Sequence, residues 1–358
     1  MPDGAMNTLP FALPERPRVR RLRPQPIVGD PGTARTQPMT GFEDRFTDIV
    51  DYIVRITDEI WRDRAIGYIY DTYDRDCIIM SNYGVVRSVE KVVASTVTTI
   101  NGFPDGTTTH INVAWSGNDA EGFYTSHLGQ GRSTNLGRSG FGPATGRRAS
   151  IRFVADCITR NNLIHTEWLV RDNGAAVRQL GYDPQDIARA IARASSGDEP
   201  DAVNDAPEPD AAIAMEVNDR STMRGWAQGL YHDLINRRRL DWVDRHYAAD
   251  AIVHAGGDRQ AQGPREIQRL FIHLLTAIPD GIMRVDHVCH SEEGDGVIVA
   301  VRWTLEGRTA PGGVLGECPA GCSVRMMGIS HLRLVGAHIV EEWMVFDEVG
   351  VLVQAYRA

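Results

Sequence analysis

The chain closes twice in the same way. Val340 to Gln354 reads VEEWMVFDEVGVLVQ, and Ile164 to Gln179 reads IHTEWLVRDNGAAVRQ. Glu167, Trp168, Asp172 and Gln179 recur as Glu342, Trp343, Asp347 and Gln354, each 175 residues further on. One polar-aromatic pattern at one period means one structural unit built twice. Every other element of the chain has to fit that constraint.

The bulk properties agree with an ordinary globular protein. The 358 residues leave room for one to three domains with sizeable cores. A net charge of −9 argues against a nucleic-acid partner, which would need clustered Lys and Arg. The basic residues cluster once, in the N-terminal stretch PERPRVRRLRPQP. Five scattered cysteines read as reduced thiols in a cytoplasmic protein. Cys318 and Cys322 are close, but the spacing lacks the second pair that a zinc site uses, so no metal is expected. No apolar run reaches the roughly 18 residues of a membrane span, and the N-terminus has no apolar signal core.

Residues 1–40 are rich in Pro, Arg and Gly and read as a disordered arm. From 41 onward the pattern is helical, with Phe46, Ile49, Ile53, Ile56 and Ile60 forming one apolar stripe. A strand-like CIIMS and a helix near 88–100 follow, then the turn Phe103-Pro104-Asp105-Gly106. The period then changes to two, giving strands near 109–115, 122–128, 149–158 and 163–171. The Gly-rich stretch 129–146 reads as a long link at a pocket rim. An acidic linker over 182–219 opens with the helical piece QDIARAIARA. The second copy then runs through the helix beginning at Trp226, AIVHA in place of CIIMS, the turn Ile278-Pro279-Asp280-Gly281 and four more strands. Helices followed by a meander predict an α+β fold, with helices on one face of a curved, mostly antiparallel sheet. The predicted domains are 41–181 and 220–358.

The PDG turns, the PATG loop at Pro143 to Gly146 with its counterpart PAG at Pro319 to Gly321, and the closing EW-x3-D…Q runs carry a resemblance. The chain resembles two SnoaL-like polyketide cyclase units in tandem, within the nuclear-transport-factor-2-like superfamily. The resemblance spans about 46–181 and 223–354. It implies two cone-shaped α+β barrels, pairing within one chain as a pseudo-dimer or further as a homodimer. It also implies cofactor-free acid–base chemistry on a small carbonyl-bearing substrate. The family's acid/base Asp would correspond to Asp172 and Asp347.

The residues allow more than one reading. Trp168 and Asp172 are four apart and so share one strand face. Each Asp is read either as a wall acid or as the cap of the segment after it. Glu167 and Glu342 point to the opposite face and are substrate-binding candidates, with Trp168 and Trp343 beside them. Asp156 and His331 hold one repeat position among apolar strand residues, as an inward polar group would. His127 precedes the Gly-rich link and is the candidate base of the first unit. His110, Tyr124 and Arg302 complete the substrate-binding candidates. The expected catalytic set is therefore Asp172, Asp156, His127, Asp347 and His331. Three functions remain open: an aldol-type cyclase or isomerase, a ligand-binding or scaffolding pseudo-dimer, and a catabolic hydrolase, lyase or dehydratase. All three take a small-molecule partner.

Overall fold

A computed structural model describes residues 9–17, 35–194 and 219–358. The remainder of the N-terminal arm and most of the acidic linker lie outside the described residues.

The first copy begins with α1 (Ile49–Trp61). Asp48 caps it by accepting from the Asp51 amide at 2.8 Å, and Ile49, Ile53, Ile56 and Ile60 form its buried face. Next come α2 (Ile69–Thr72), β1 (Tyr73–Ser81), β2 (Gly84–Arg87) and α3 (Val89–Gly102). The meander is β3 (Thr107–Asn118), β4 (Gly122–Thr134), β5 (Arg148–Arg160) and β6 (Leu163–Arg171), closed by α4 (Asn173–Gln179). A further helix, α5 (Pro184–Ala194), leads away. The second copy repeats the order: α6 (Met223–Tyr231), α7 (Val243–His246), β7 (Tyr247–Ala255), β8 (Arg259–Gln262), α8 (Gly263–Ala277), β9 (Ile282–Glu293), β10 (Gly296–Arg308), β11 (Ser323–Val335), β12 (His338–Phe346) and α9 (Glu348–Arg357).

The fold is mixed α+β. Among the described residues twelve strands form one sheet, in the order β2-β1-β6-β5-β4-β3-β9-β10-β11-β12-β7-β8. The copies join through β3 and β9, where Trp115 pairs with His290. Pairing is antiparallel apart from β1 with β6 and β7 with β12, where the first strand of each unit lies beside its last. The β5–β6 hairpin turns on Asn161 and Asn162, both at positive φ (52° and 68°), the conformation a two-residue primed turn demands.

Three expectations need correction. Strand β4 runs on to Thr134, so only 135–146 of the Gly-rich stretch lies in the loop before β5. Helix α5 is part of the second unit's core rather than free linker. Ile187, Ala188 and Ala192 are buried there, and the Tyr356 hydroxyl donates to Gln185 Oε1 at 2.7 Å. The arm is also partly anchored. Phe11 is 6% exposed and packs on Trp226 with ring centroids 5.0 Å apart. The Arg16 guanidinium lies 4.4 Å from the Trp115 ring centroid, over the seam between the units.

Candidate functional site

A strand presents alternate residues to opposite faces, and here the two faces have different fates. In the first unit one face looks toward α1 and α3 and walls a cavity of about 480 Å³. Thr125, Cys157 and Glu167 lie across the sheet in one row, His127, Ala155 and Leu169 in the next, and Gly129, Phe153 and Arg171 in the third. The opposite wall includes Ile53, Ile56, Ile60 and Trp61 of α1, and Val92 and Thr96 of α3. Most of the lining surface is apolar, and polar and charged side chains that include Arg64, Lys91 and Arg132 make up the rest, a mixture suited to a small-molecule site.

Glu167 is one of those polar groups. Its Oε2 accepts from the Tyr73 hydroxyl at 3.0 Å. Burial raises its pKa, while the Tyr73 hydrogen bond and the Arg171 charge pull it back. His127 is another, backed by a chain of hydrogen bonds. Its Nε2 lies 2.9 Å from His110 Nδ1, and His110 Nε2 lies 2.9 Å from Asp58 Oδ1. Asp58 also holds Arg62 at 2.9 Å. The Asp58 carboxylate only accepts, so His110 carries its proton on Nε2. With a neutral His110, its Nδ1 accepts the proton of His127 Nε2 and His127 Nδ1 is free to accept; with a protonated His110 the direction of that hydrogen bond reverses. Burial, followed by His110 and His331, pushes the His127 pKa well down and keeps the ring neutral. A neutral imidazole and a carboxyl group of raised pKa on one wall can abstract and return a proton next to a carbonyl.

The other face of the first unit's strands packs against the second unit. Leu128, Val154 and Val170 meet Met327, Ile329 and Val345 there. Asp156 and His331 do not line the cavity but lie in this contact. Asp156 accepts from Tyr124 and lies 3.5 Å from Arg302 Nε. Burial raises its pKa to about 6 against the pull of Arg302. Arg302 covers the Trp168 ring at 3.6 Å, and Tyr124 stacks on His287 at 3.5 Å. His331 bonds Ser126 at 3.0 Å and Asn112 at 2.9 Å. An inward polar residue on a two-sided sheet marks a polar interface as readily as a pocket, which is why the alternation misled.

Asp172 and Asp347 are helix caps that also clamp the units. Asp172 accepts from Ala175 N at 3.0 Å, then from Gly257 N at 2.7 Å and Asp258 N at 3.3 Å across the repeat. Asp347 accepts from Val349 N at 3.0 Å and Gly350 N at 3.1 Å, and from Asn173 Nδ2 at 2.6 Å across the repeat. The choice of Asp over Glu as the wall acid is thus reversed by the side-chain directions. Trp343 stacks beside His254 at 5.8 Å, and that His is held by Glu341 at 2.9 Å.

The second unit keeps the Glu–Tyr pair, with Tyr247 donating to Glu342 Oε2 at 2.7 Å. Burial raises the Glu342 pKa to about 7. The surrounding interior is filled, however. The sheet registers place Val301 where the first unit has His127, Trp303 for Gly129, Gly328 for Phe153, and Phe346 for Arg171. Trp303 and Phe346 are 0% and 1% exposed, with ring centroids 6.5 Å apart.

Sequence reasoning missed Asp58, Tyr73 as a partner of Glu167, and Arg171. No spacing or motif in the sequence marks Asp58 on α1 or Tyr73 at the start of β1 as part of the site. The signal for Arg171 was present, because a charged residue stands two places along the face from Leu169 and its repeat partner is Phe346. Among the described residues no group of three or more His, Cys, Asp or Glu side chains is placed to hold a metal ion.

Comparison with known proteins gives three results. No curated protein matches the chain. Solved structures align with part of it. They include a candidate SnoaL-like polyketide cyclase from Jannaschia sp. CCS1 (17% identity, TM-score 0.34, 38% of this chain and 92% of that one). Another is TsrD from Streptomyces laurentii (17%, TM-score 0.33, 37% and 97%). A third is IdmH, a candidate polyketide cyclase from Streptomyces antibioticus (20%, TM-score 0.32, 37% and 97%). The family model for SnoaL-like polyketide cyclases matches residues 226–355. That match covers the second unit, which is similar to SnoaL-like polyketide cyclases over residues 226–355.

Proposed function

We propose that the chain is a cofactor-free enzyme of two tandem SnoaL-like domains, 41–181 and 220–358, and that the first domain carries the active site. Each domain is a cone of sheet and helices, and the two pair through the sheet faces that hold Asp156 and His331. The second domain acts as the structural partner, in the cytoplasm, where five free cysteines stay reduced. The observation that carries this reading is the cavity wall that combines Glu167 with the His127–His110–Asp58 chain.

Glu167 or His127 removes a proton adjacent to a substrate carbonyl, and a neighbouring donor stabilises the enolate oxygen as it forms. The enolate carbon then attacks a second carbonyl within the same molecule, or is reprotonated elsewhere in an isomerisation. The mostly apolar walls exclude water and hold a folded, polyketide-like chain.

The test is solvent-deuterium exchange at the carbon next to the carbonyl of polyketide-like β-keto esters, followed by NMR with product analysis by mass spectrometry. Wild type should exchange and convert substrate, and Glu167→Gln should lose both. Saturable binding without exchange in wild type would replace the enzyme reading with a ligand-binding one. Cleaved or dehydrated products would move the reaction to the hydrolase, lyase or dehydratase class.

A further inference from the structure

We propose that Arg171 is an anion subsite of the first-unit cavity and that the ligand taken there is a keto compound bearing a free carboxylate. This rests on the reading of that cavity as the ligand site. Arg171 ends β6 and lines the cavity. Its guanidinium has no ion pair or hydrogen bond among the described residues. What it has is the Trp61 ring, 5.9 Å from the guanidinium carbon, and Phe153 as its neighbour across the β5–β6 ladder.

The acids around it are committed elsewhere. Glu167 takes the Tyr73 hydroxyl, and Asp347 takes Asn173 and two backbone amides of α9. Both act on Arg171 only at longer range. Arg171 is half-buried and burial lowers its pKa, and a structural role for the charge would have supplied a partner. The second unit shows the alternative directly, because Phe346 fills the equivalent position and the interior there is packed with apolar side chains.

The guanidinium is a planar fork that matches a carboxylate with two parallel hydrogen bonds. Four residues of strand separate Arg171 from Glu167, which is about 13 Å between their α-carbons. The row of His127 crosses the sheet between them. A ligand anchored by its carboxylate at Arg171 would thus extend its carbonyl toward His127 and Glu167.

The experiment compares 3-benzoylpropionate with its methyl ester by calorimetric titration of the full chain. The two probes share the ketone and ring and differ in charge. Wild type should bind the acid about 10- to 100-fold tighter than the ester, the range a charge-assisted pair supplies. Arg171→Gln and Arg171→Met should erase that preference with ester affinity retained, and circular dichroism should show both variants folded. Arg171→Lys should keep part of it. Acid binding no tighter than ester binding in wild type, including binding of neither, overturns the proposal. So does an unchanged ratio in the folded Gln and Met variants. An acid preference that survives in Glu167→Gln, alongside absent turnover in wild type, would support the subsite while overturning the catalytic reading of the cavity.

Discussion

Glu167 and Glu342 stand at one position of the repeat, and each takes a hydrogen bond from a tyrosine, Tyr73 at 3.0 Å and Tyr247 at 2.7 Å. Glu167 lines a cavity, whereas Glu342 is 0% exposed inside a packed core. The contrast comes from the residues opposite. His127, Gly129 and Arg171 leave space, and Val301, Trp303 and Phe346 take it up. The same acid therefore faces a cavity in one unit and a packed core in the other.

Removing the wall acid should remove the chemistry. Glu167→Gln is expected to lower the deuterium-exchange rate about 100-fold or more, the contribution of a positioned general base. His127→Ala should lower it by a similar factor. His110→Ala should act through His127, with its main effect on the pH profile because the tautomer is no longer fixed. Glu342→Gln should leave the rate unchanged.

The two closing aspartates should behave as caps. Asp172→Ala leaves the amides of Ala175, Gly257 and Asp258 without their acceptor, at a cost of about 2 kcal/mol. Urea unfolding measures that cost, and the exchange rate per folded molecule should stay at the wild-type level. A folded variant with lost turnover would restore Asp172 as a catalyst.

Stability should fall as pH rises through neutrality. Burial lifts Glu342 and Asp347 to about 7 and Asp156 to about 6, above their unfolded values near 4. Between those limits the folded chain binds more protons than the unfolded chain, so proton release favours unfolding. The stabilisation is complete below about pH 4 for these groups and is lost by about pH 7 to 8. Glu342→Gln should flatten that slope, with a gain on the order of 3 kcal/mol at pH 8 relative to pH 4. Thermal melts across this pH range would show an unchanged slope if Glu342 is not the titrating group.

Opening the second interior should be expensive. Trp303→Ala removes a fully buried indole that covers Gly328, and a loss of about 3–5 kcal/mol is expected in chemical denaturation. Phe11→Ala tests the arm more gently. Its ring packs on Trp226, so a loss of about 2 kcal/mol is expected.

The sequence by itself determined the repeat, the order of helices and strands, and the α+β class. These follow from local physics: apolar spacing of three and four along α1, alternation along the strands, and caps and turns at their ends. It also picked out Glu167, His127 and His110 as candidates. It could not decide which face of each strand meets the helices and which meets the other unit. Both faces are covered here, so both carry apolar residues, and alternation alone does not label them. Only the tertiary structure sent Asp156 and His331 to the contact between units and turned Asp172 and Asp347 into clamps. It also set Asp58 behind His110 and left space in one unit that Trp303 and Phe346 occupy in the other. Those outcomes depend on side chains far apart in sequence competing for the same volume, and no local pattern records the result.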